Sequence, residues 1–305
     1  LFLVVTVKYV WCITRADNGG EGGIFALLAL GGEKPGAGKI TAWIFLLLVG
    51  AALLYGDGVI TPAVSVLGAM EGLVAVNAGL EPWVVPLSVL VLFGLFVLQR
   101  VGTGSIGKVF GPLMLLWFGT LATLGLWQIA HYPQVLAALN PLHAVHLLAS
   151  GNTEIARLLG AVVLAFTGAE ALYADLGHFG RKAIATGWYV VAMPALVLSY
   201  FGQGAWALTH PGDATNPFFA LAAPGWPRMA LTGLSVAAAV IASQALISGT
   251  FSLTRQAIQL GFLPRLSVRH TSAALEGQIY LPFVNVSLAV ATIWVTFAFK
   301  SSTAL

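Results

Sequence analysis

Two stretches of this 305-residue chain carry oxygen chemistry where apolar residues dominate. The first is YGDGVITPAVSVLGAMEGL, Tyr55 to Leu73, with Asp57, Thr61, Ser65 and Glu71. The second is LAFTGAEALYADLGHFGRKAI, Leu164 to Ile184, with Thr167, Glu170 and Asp175. Carboxylates can release and take up protons, and hydroxyls beside freed backbone carbonyls can replace the water shell of a cation. A carboxylate in the middle of a membrane helix costs at least ~2.5–3.5 kcal/mol on insertion scales, so it is expected to face the bundle interior or a wet cavity.

Spacing sharpens the expectation. Asp57, Thr61 and Ser65 recur every four residues, so on a helix they form one slowly drifting stripe. Pro62 has no amide hydrogen to give, which leaves the Gly58 carbonyl four residues earlier without its helical partner. In the second stretch, Gly168 weakens a helix in mid-span beside Thr167, and Glu170 follows within a turn. Broken helices at the midplane expose carbonyls and half-helix ends to ions, as secondary transporters require. The competing readings are plain. Serine and threonine in membrane helices often bond back to their own backbone or across to a neighbour, and Gly/Pro pairs often only kink. Asp175, near Arg181 and Lys182, reads as an interfacial acid or gate.

These residues must be positioned by membrane helices. The chain is 58% hydrophobic and 8% charged, with a mean hydropathy of +0.90, too oily for a soluble domain. The net charge of +3 comes with no basic run bearing interleaved aromatics, so nucleic acid is not a partner. Cys12 is the single cysteine, which excludes an internal disulfide or a thiol metal site and points to packing. Apolar runs place spans at Thr41 to Val76, Val84 to Gln99, Ile106 to Ala130, Ile155 to Phe179, Thr186 to Leu208, Arg228 to Leu260 and Leu281 to Phe299. Leu1 to Ile13 reads as the back half of another span. No linker or repeat divides the chain, so residues 1–305 form a single all-α polytopic membrane domain.

Basic residues alternate between loops. Arg15, Lys34, Lys39, Arg100, Lys108, Arg181, Lys182, Arg255, Arg265 and Arg269 fall on one side, and Arg157, Arg228 and Lys300 on the other. The first set is expected in the cytoplasm of a cell with this chain in its inner membrane. His143 and His146, three residues apart in an expected external loop, have no further ligand nearby and make a weak metal candidate. Ser243 and Gln244 read as hydrogen-bond partners between helices. Hydrolase, ATPase and potassium-channel signatures are missing, and no motif calls for a cofactor or an enzyme.

Several long stretches together resemble the Kup/HAK/KT family of potassium uptake transporters. They are RADNGGEGGIFALLAL, YGDGVITPAVSVLGAMEGL, FTGAEALYADLGHFGRKAI, NPFF at Asn216 to Phe219, IASQALISGTFSLTRQAIQLGFLPRLSVRHTS and GQIYLPFVN, in family order. Through the amino acid/polyamine/organocation superfamily, the resemblance implies a LeuT-like pair of inverted repeats with broken first and sixth helices. On that plan the chain runs from the second helix to the ninth. It lacks the first helix with its Tyr-Gly-Asp-Ile-Gly-Thr-Ser-Pro type motif, the last helices and the cytoplasmic tail, and this piece alone is not expected to transport. The resemblance carries over Thr61, Ser65, Thr167 and Glu170 as potassium-site residues. It makes Asp57, Glu71, Glu170 and Asp175 acids of a proton pathway or gate. The expected activity is potassium import with protons as the coupling ion, across a lipid bilayer, with a homodimer left open. An amino-acid or other organic-solute permease on the same scaffold and a transport-dead membrane sensor are the alternatives.

Overall fold

A chain in hydrocarbon must satisfy its backbone donors and acceptors internally, and a helix does so within one segment. The computed structural model describes residues 1–20, 22–31, 41–100, 107–150, 155–164, 168–174, 176–213, 215–270 and 279–303. Among these residues, six helices are long and apolar enough to cross a membrane.

The chain opens with α1, Phe2–Cys12, wound as a π-helix, and a short α2, Ile24–Leu30. The first long helix is α3, Ala42–Met70, started by the Thr41 hydroxyl accepting from the Ile44 amide. Pro62 lies inside α3 without ending it. The expected run to Val76 is interrupted by a turn at Glu71, and α4, Gly72–Val76, completes the crossing. Helix α5, Glu81–Leu98, begins three residues before the first apolar position used to predict it. Glu81 and Pro82 explain the difference, because an acid and a proline suit the first turn of a helix. Helix α6, Gly107–His131, follows. The expected external loop then contains a short exposed helix α7, Leu142–Ala149, which carries His143 and His146.

Within the span expected at Ile155 to Phe179, the described residues form α8, Ile155–Leu164, α9, Ala171–Ala174, and α10, Leu176–Phe179, and a turn over residues 168–170 interrupts the helix before α9. Gly168 takes φ +86°, a left-handed value that costs glycine nothing, and hydrogen bonding restarts from its carbonyl to the Ala171 amide. Helix α11, Arg181–Thr209, contains a π-wound stretch over Gly187–Ala192. A single turn, α12, Pro217–Ala220, precedes α13, Trp226–Gln259. Arg269–His270 and Ile279–Tyr280 pair as two antiparallel two-residue strands, and α14, Pro282–Phe299, follows.

Helix α13 is the inner post of the bundle. Its buried Ile247 and Phe251 pack with Val66 and Leu67 of α3, Leu92 of α5 and Leu288 of α14. On the outside, Phe45, Leu53, Phe93, Leu116, Val190 and Trp294 remain exposed, as side chains facing lipid should. Helices α6 and α11 approach through glycines, in the manner of membrane helix pairs. A β-carbon on Gly125 would stand 2.2 Å from the Leu198 carbonyl oxygen, and one on Gly202 would stand 2.5 Å from the Gly125 α-carbon. Cys12 corrects the packing expectation: it is exposed, because the buried face of α1 is formed by Val5, Thr6 and Val10.

Candidate cation site at the broken helix

The α3 stripe is held together by its own side chains. Asp57, Thr61 and Ser65 are all half-buried on α3, and the Thr61 hydroxyl donates to Asp57 Oδ1 at 2.5 Å. Other hydroxyls of the bundle bond back along the helix: Ser88 to Val84, Thr250 to Leu246, Thr254 to Thr250 and Thr296 to Thr292 carbonyls. Thr61 therefore escapes the ordinary use of a membrane threonine. Its hydrogen points at a carboxylate, so its lone pairs are free for another ligand.

Asp57 Oδ2 is buried with no hydrogen-bond partner among the described residues. Among the described residues, the carboxyl of Glu170 lies near enough to Asp57 for the two to interact electrostatically. Glu170 sits half-buried at the turn between α8 and α9, where its Oε1 accepts from the Gly168 amide at 3.1 Å. Thus the carboxyl on the proline-bearing helix and the carboxyl on the broken helix meet. Two buried carboxylates repel unless a positive charge or a proton lies between them.

The walls around this pair are close. A β-carbon on Gly58 would stand 2.8 Å from Thr250 Oγ1 of α13, so only glycine lets α13 approach the carbonyl that Pro62 leaves without a helical donor. Leu54, Ala171, Ala174, Ala245, Gly249 and Thr250 line a recess of about 10 Å³ between α3, α9 and α13, about the space of one water. The Tyr55 and Thr254 hydroxyls bond to each other and tie α3 to α13.

Not all the predicted site residues assemble here. Thr167 and Asp175 lie outside the described residues. Glu71 is fourteen positions beyond Asp57 on nearly continuous helix, ~21 Å away at 1.5 Å per residue, and belongs to another cluster. There its carboxylate accepts from the Ser301 hydroxyl and from the Ser302 amide and hydroxyl. Ser243 and Gln244 depart from the expectation of bonding across helices. Ser243 Oγ and Gln244 Oε1 are buried without a partner among the described residues, because α13 turns them into the packed interior. His143 and His146 are exposed on α7, and no group of three metal-ligating side chains forms among the described residues.

The Tyr55–Thr254 tie and the Glu71–Ser302 contact were invisible in the sequence, since each joins residues about two hundred positions apart or more. A tyrosine and a carboxylate inside long apolar runs were the available signals.

The class of the protein follows from these observations: it is an all-α, multi-pass membrane protein with an acid pair where a broken helix meets a proline-bearing one. The family described as the K+ potassium transporter integral membrane domain matches residues 1–305. The chain belongs to that family, the Kup/HAK/KT potassium transporters. It is 54% identical over 308 residues, 100% of this chain and 48% of the relative, to a Pseudomonas fluorescens protein named "Probable potassium transport system protein Kup". Relatives of the same name in Bordetella pertussis and Pseudomonas aeruginosa PAO1 are 55% identical over 304 residues and 52% identical over 307. These alignments cover 99% and 100% of this chain and 47% and 48% of the relatives, respectively. The chain thus spans about half the length of the curated relatives it matches. No solved structure matches it.

Proposed function

We propose that this chain is the ion-handling part of a secondary potassium importer of the inner membrane, coupled to protons and working by alternating access on a LeuT-like scaffold. The observation that carries the reading is the carboxyl pair. Asp57 has one oxygen held by Thr61 and the other buried without a donor among the described residues, and it faces Glu170 at the helix break. Such a pair favours a single positive charge between its members. A potassium ion and a proton are alternative ways of supplying it.

Potassium is the cation this chemistry suits. It is large and weakly hydrated, so hydroxyls, backbone carbonyls and one or two carboxylates can replace its water without the dense charge a divalent ion needs. In the proposed site, Thr61, Ser65, Thr167 and Glu170 are the potassium ligands, and the Gly58 carbonyl stands beside them. Asp57, Glu170 and Asp175 form the proton pathway. Arg15, Arg100, Arg181 and Arg255 face the cytoplasm, which puts the Glu71 end of α3 outside.

Vesicles holding a full-length transporter that contains this segment provide the test. Rubidium should enter in a potassium-competitive way and amino acids should not. Amino-acid uptake without rubidium flux would overturn the proposal.

A further inference from the structure

Helix α14 runs beside α3 in the same direction. Its Leu288 lies 3.8 Å from where a β-carbon on Gly58 would be, and Ser302, just past its end, lies 3.6 Å from the corresponding position on Gly68. Two turns of contact are therefore in register, one at the depth of the acid pair and one at the Glu71 end. Beyond Phe299 the chain turns sharply. Lys300 adopts φ +61°, and among the described residues it is the non-glycine residue with positive φ. An L side chain seldom takes that conformation; here it caps α14, with the Lys300 amide donating to the Thr296 carbonyl, and the contacts of the next two residues help to hold the turn.

The contacts are on Glu71. Its carboxylate accepts three hydrogen bonds: from Ser301 Oγ at 3.2 Å, Ser302 N at 2.7 Å and Ser302 Oγ at 2.6 Å. Glu71 occupies the turn at which α3 is interrupted before α4, so it marks a joint in one helix fastened to a strained turn at the end of another. The joint is also the wall of a cavity of about 1000 Å³, shared by Glu71, Glu81, Asp213, Lys300 and Ser301.

We infer that Glu71, with Ser301 and Ser302, is a latch that holds the end of α14 against α3 and must open in each transport cycle. The inference rests on the transport reading and assigns Glu71 a positioning role, distinct from carrying protons or potassium. Closed, the latch pins Leu288 against the α3 turn that contains Gly58, beside Asp57. Open, the strained Lys300 turn relaxes, α14 swings from α3, and the large cavity gains a route toward the acid pair. The arrangement stores conformational preference in the Lys300 backbone and holds it with a charged acceptor, so the two states are both accessible.

The register of Gly68 and Ser302 allows a direct test, because a Cβ–Cβ separation of 3.6 Å suits a disulfide. Gly68→Cys with Ser302→Cys is placed in a full-length transporter that contains this segment and is otherwise free of cysteine, with Cys12→Ser. The pair should cross-link under mild oxidation, lower rubidium uptake at least tenfold, and regain parent uptake on reduction. A fully cross-linked protein that transports at the parent rate would overturn the latch, as would failure of the pair to cross-link. A second measurement needs no transport. Glu71→Gln should speed labelling of a single Gly68→Cys by a membrane-impermeant maleimide several-fold, and an unchanged rate would also overturn the inference. A parent protein that takes up no rubidium, while cross-linking and labelling behave as expected, would remove the transport reading and with it the latch's role in a cycle, leaving only the fastening of α14 to α3 by Glu71.

Discussion

Replacing Thr61 by valine removes one hydroxyl while keeping the shape of the side chain, and the structure says what that hydroxyl does. It donates to Asp57 Oδ1 at 2.5 Å, and Asp57 Oδ2 already lacks a partner among the described residues. The variant therefore removes the hydroxyl that Asp57 Oδ1 accepts from and deprives the cation of an oxygen polarised by a carboxylate. A hydrogen bond to a charged group contributes about 1.5–3 kcal/mol. At ~1.4 kcal/mol per factor of ten, apparent potassium affinity should fall roughly 10- to 150-fold. The assay is potassium competition against rubidium uptake by a full-length transporter, with membrane abundance measured in parallel. Thr61→Ser retains the hydroxyl and should stay near the parent. Parent affinity in Thr61→Val at normal abundance would refute the reasoning. Lost abundance with unchanged affinity in the surviving protein would make the Asp57–Thr61 bond a purely structural one.

Glu170→Gln should abolish potassium-driven proton movement in liposomes even where some potassium binding survives; proton uptake at parent stoichiometry would pass the role to Asp57 or another acid. Gly202→Ala should push α6 from α11, since the added carbon would stand 2.5 Å from the Gly125 α-carbon, and overpacking of this kind costs about 1–3 kcal/mol. Thermal unfolding in detergent reads that loss, and an unchanged midpoint would mean the helices can part freely. Asp213 lies in an exposed loop, where the Thr215 amide, with help from the Thr215 side chain, His210 and Arg228, holds its carboxyl below the usual 3.8. A carboxyl lowered in the fold contributes above its unfolded pKa, and the contribution is lost as pH falls through the folded value. Asp213→Asn should therefore raise amide exchange at Thr215 near neutral pH and match the parent in strong acid.

What could be read from the chain in advance was whatever repeats locally. Apolar runs long enough to span a bilayer announce helices, and α13 and α14 fall within two residues of the boundaries predicted for them. The four-residue spacing of Asp57 and Thr61 placed them together, and their hydrogen bond is the contact that spacing produces. Gly168 marked the break because glycine weakens a helix, and the structure adds that it takes a left-handed φ there. The start of α5 was missed because Glu81 and Pro82 are polar or conformationally rigid residues that a hydropathy window rejects, although both suit a first helical turn. The π-winding of α1 has no compositional mark, and it moved Cys12 off the buried face. Partner choice across the bundle was not legible at all. Asp57 meets Glu170, and Glu71 meets Ser302, only because helices distant in the chain pack side by side, and no local period encodes which pairs meet.

Helix α3 joins these distant meetings into one mechanical problem. Asp57 lies near its middle, facing the broken helix, and Glu71 ends it, facing the turn after α14. Between them, Pro62 removes one backbone hydrogen bond and Gly58 removes a side chain, the two changes that make a helix easiest to bend. On the proposed reading, neutralising the acid pair changes the force between α3 and the broken helix, and the weak turn at Gly58 to Pro62 is where α3 can respond. A response there shifts the surface on which Leu288 of α14 rests, and with it the register of Ser302 on Glu71. Site occupancy and the latch would then be coupled through helix packing, with no side chain reaching from one to the other. That coupling is reciprocal, so a transporter cross-linked at Gly68 and Ser302 should have altered equilibrium affinity for potassium as well as lost flux.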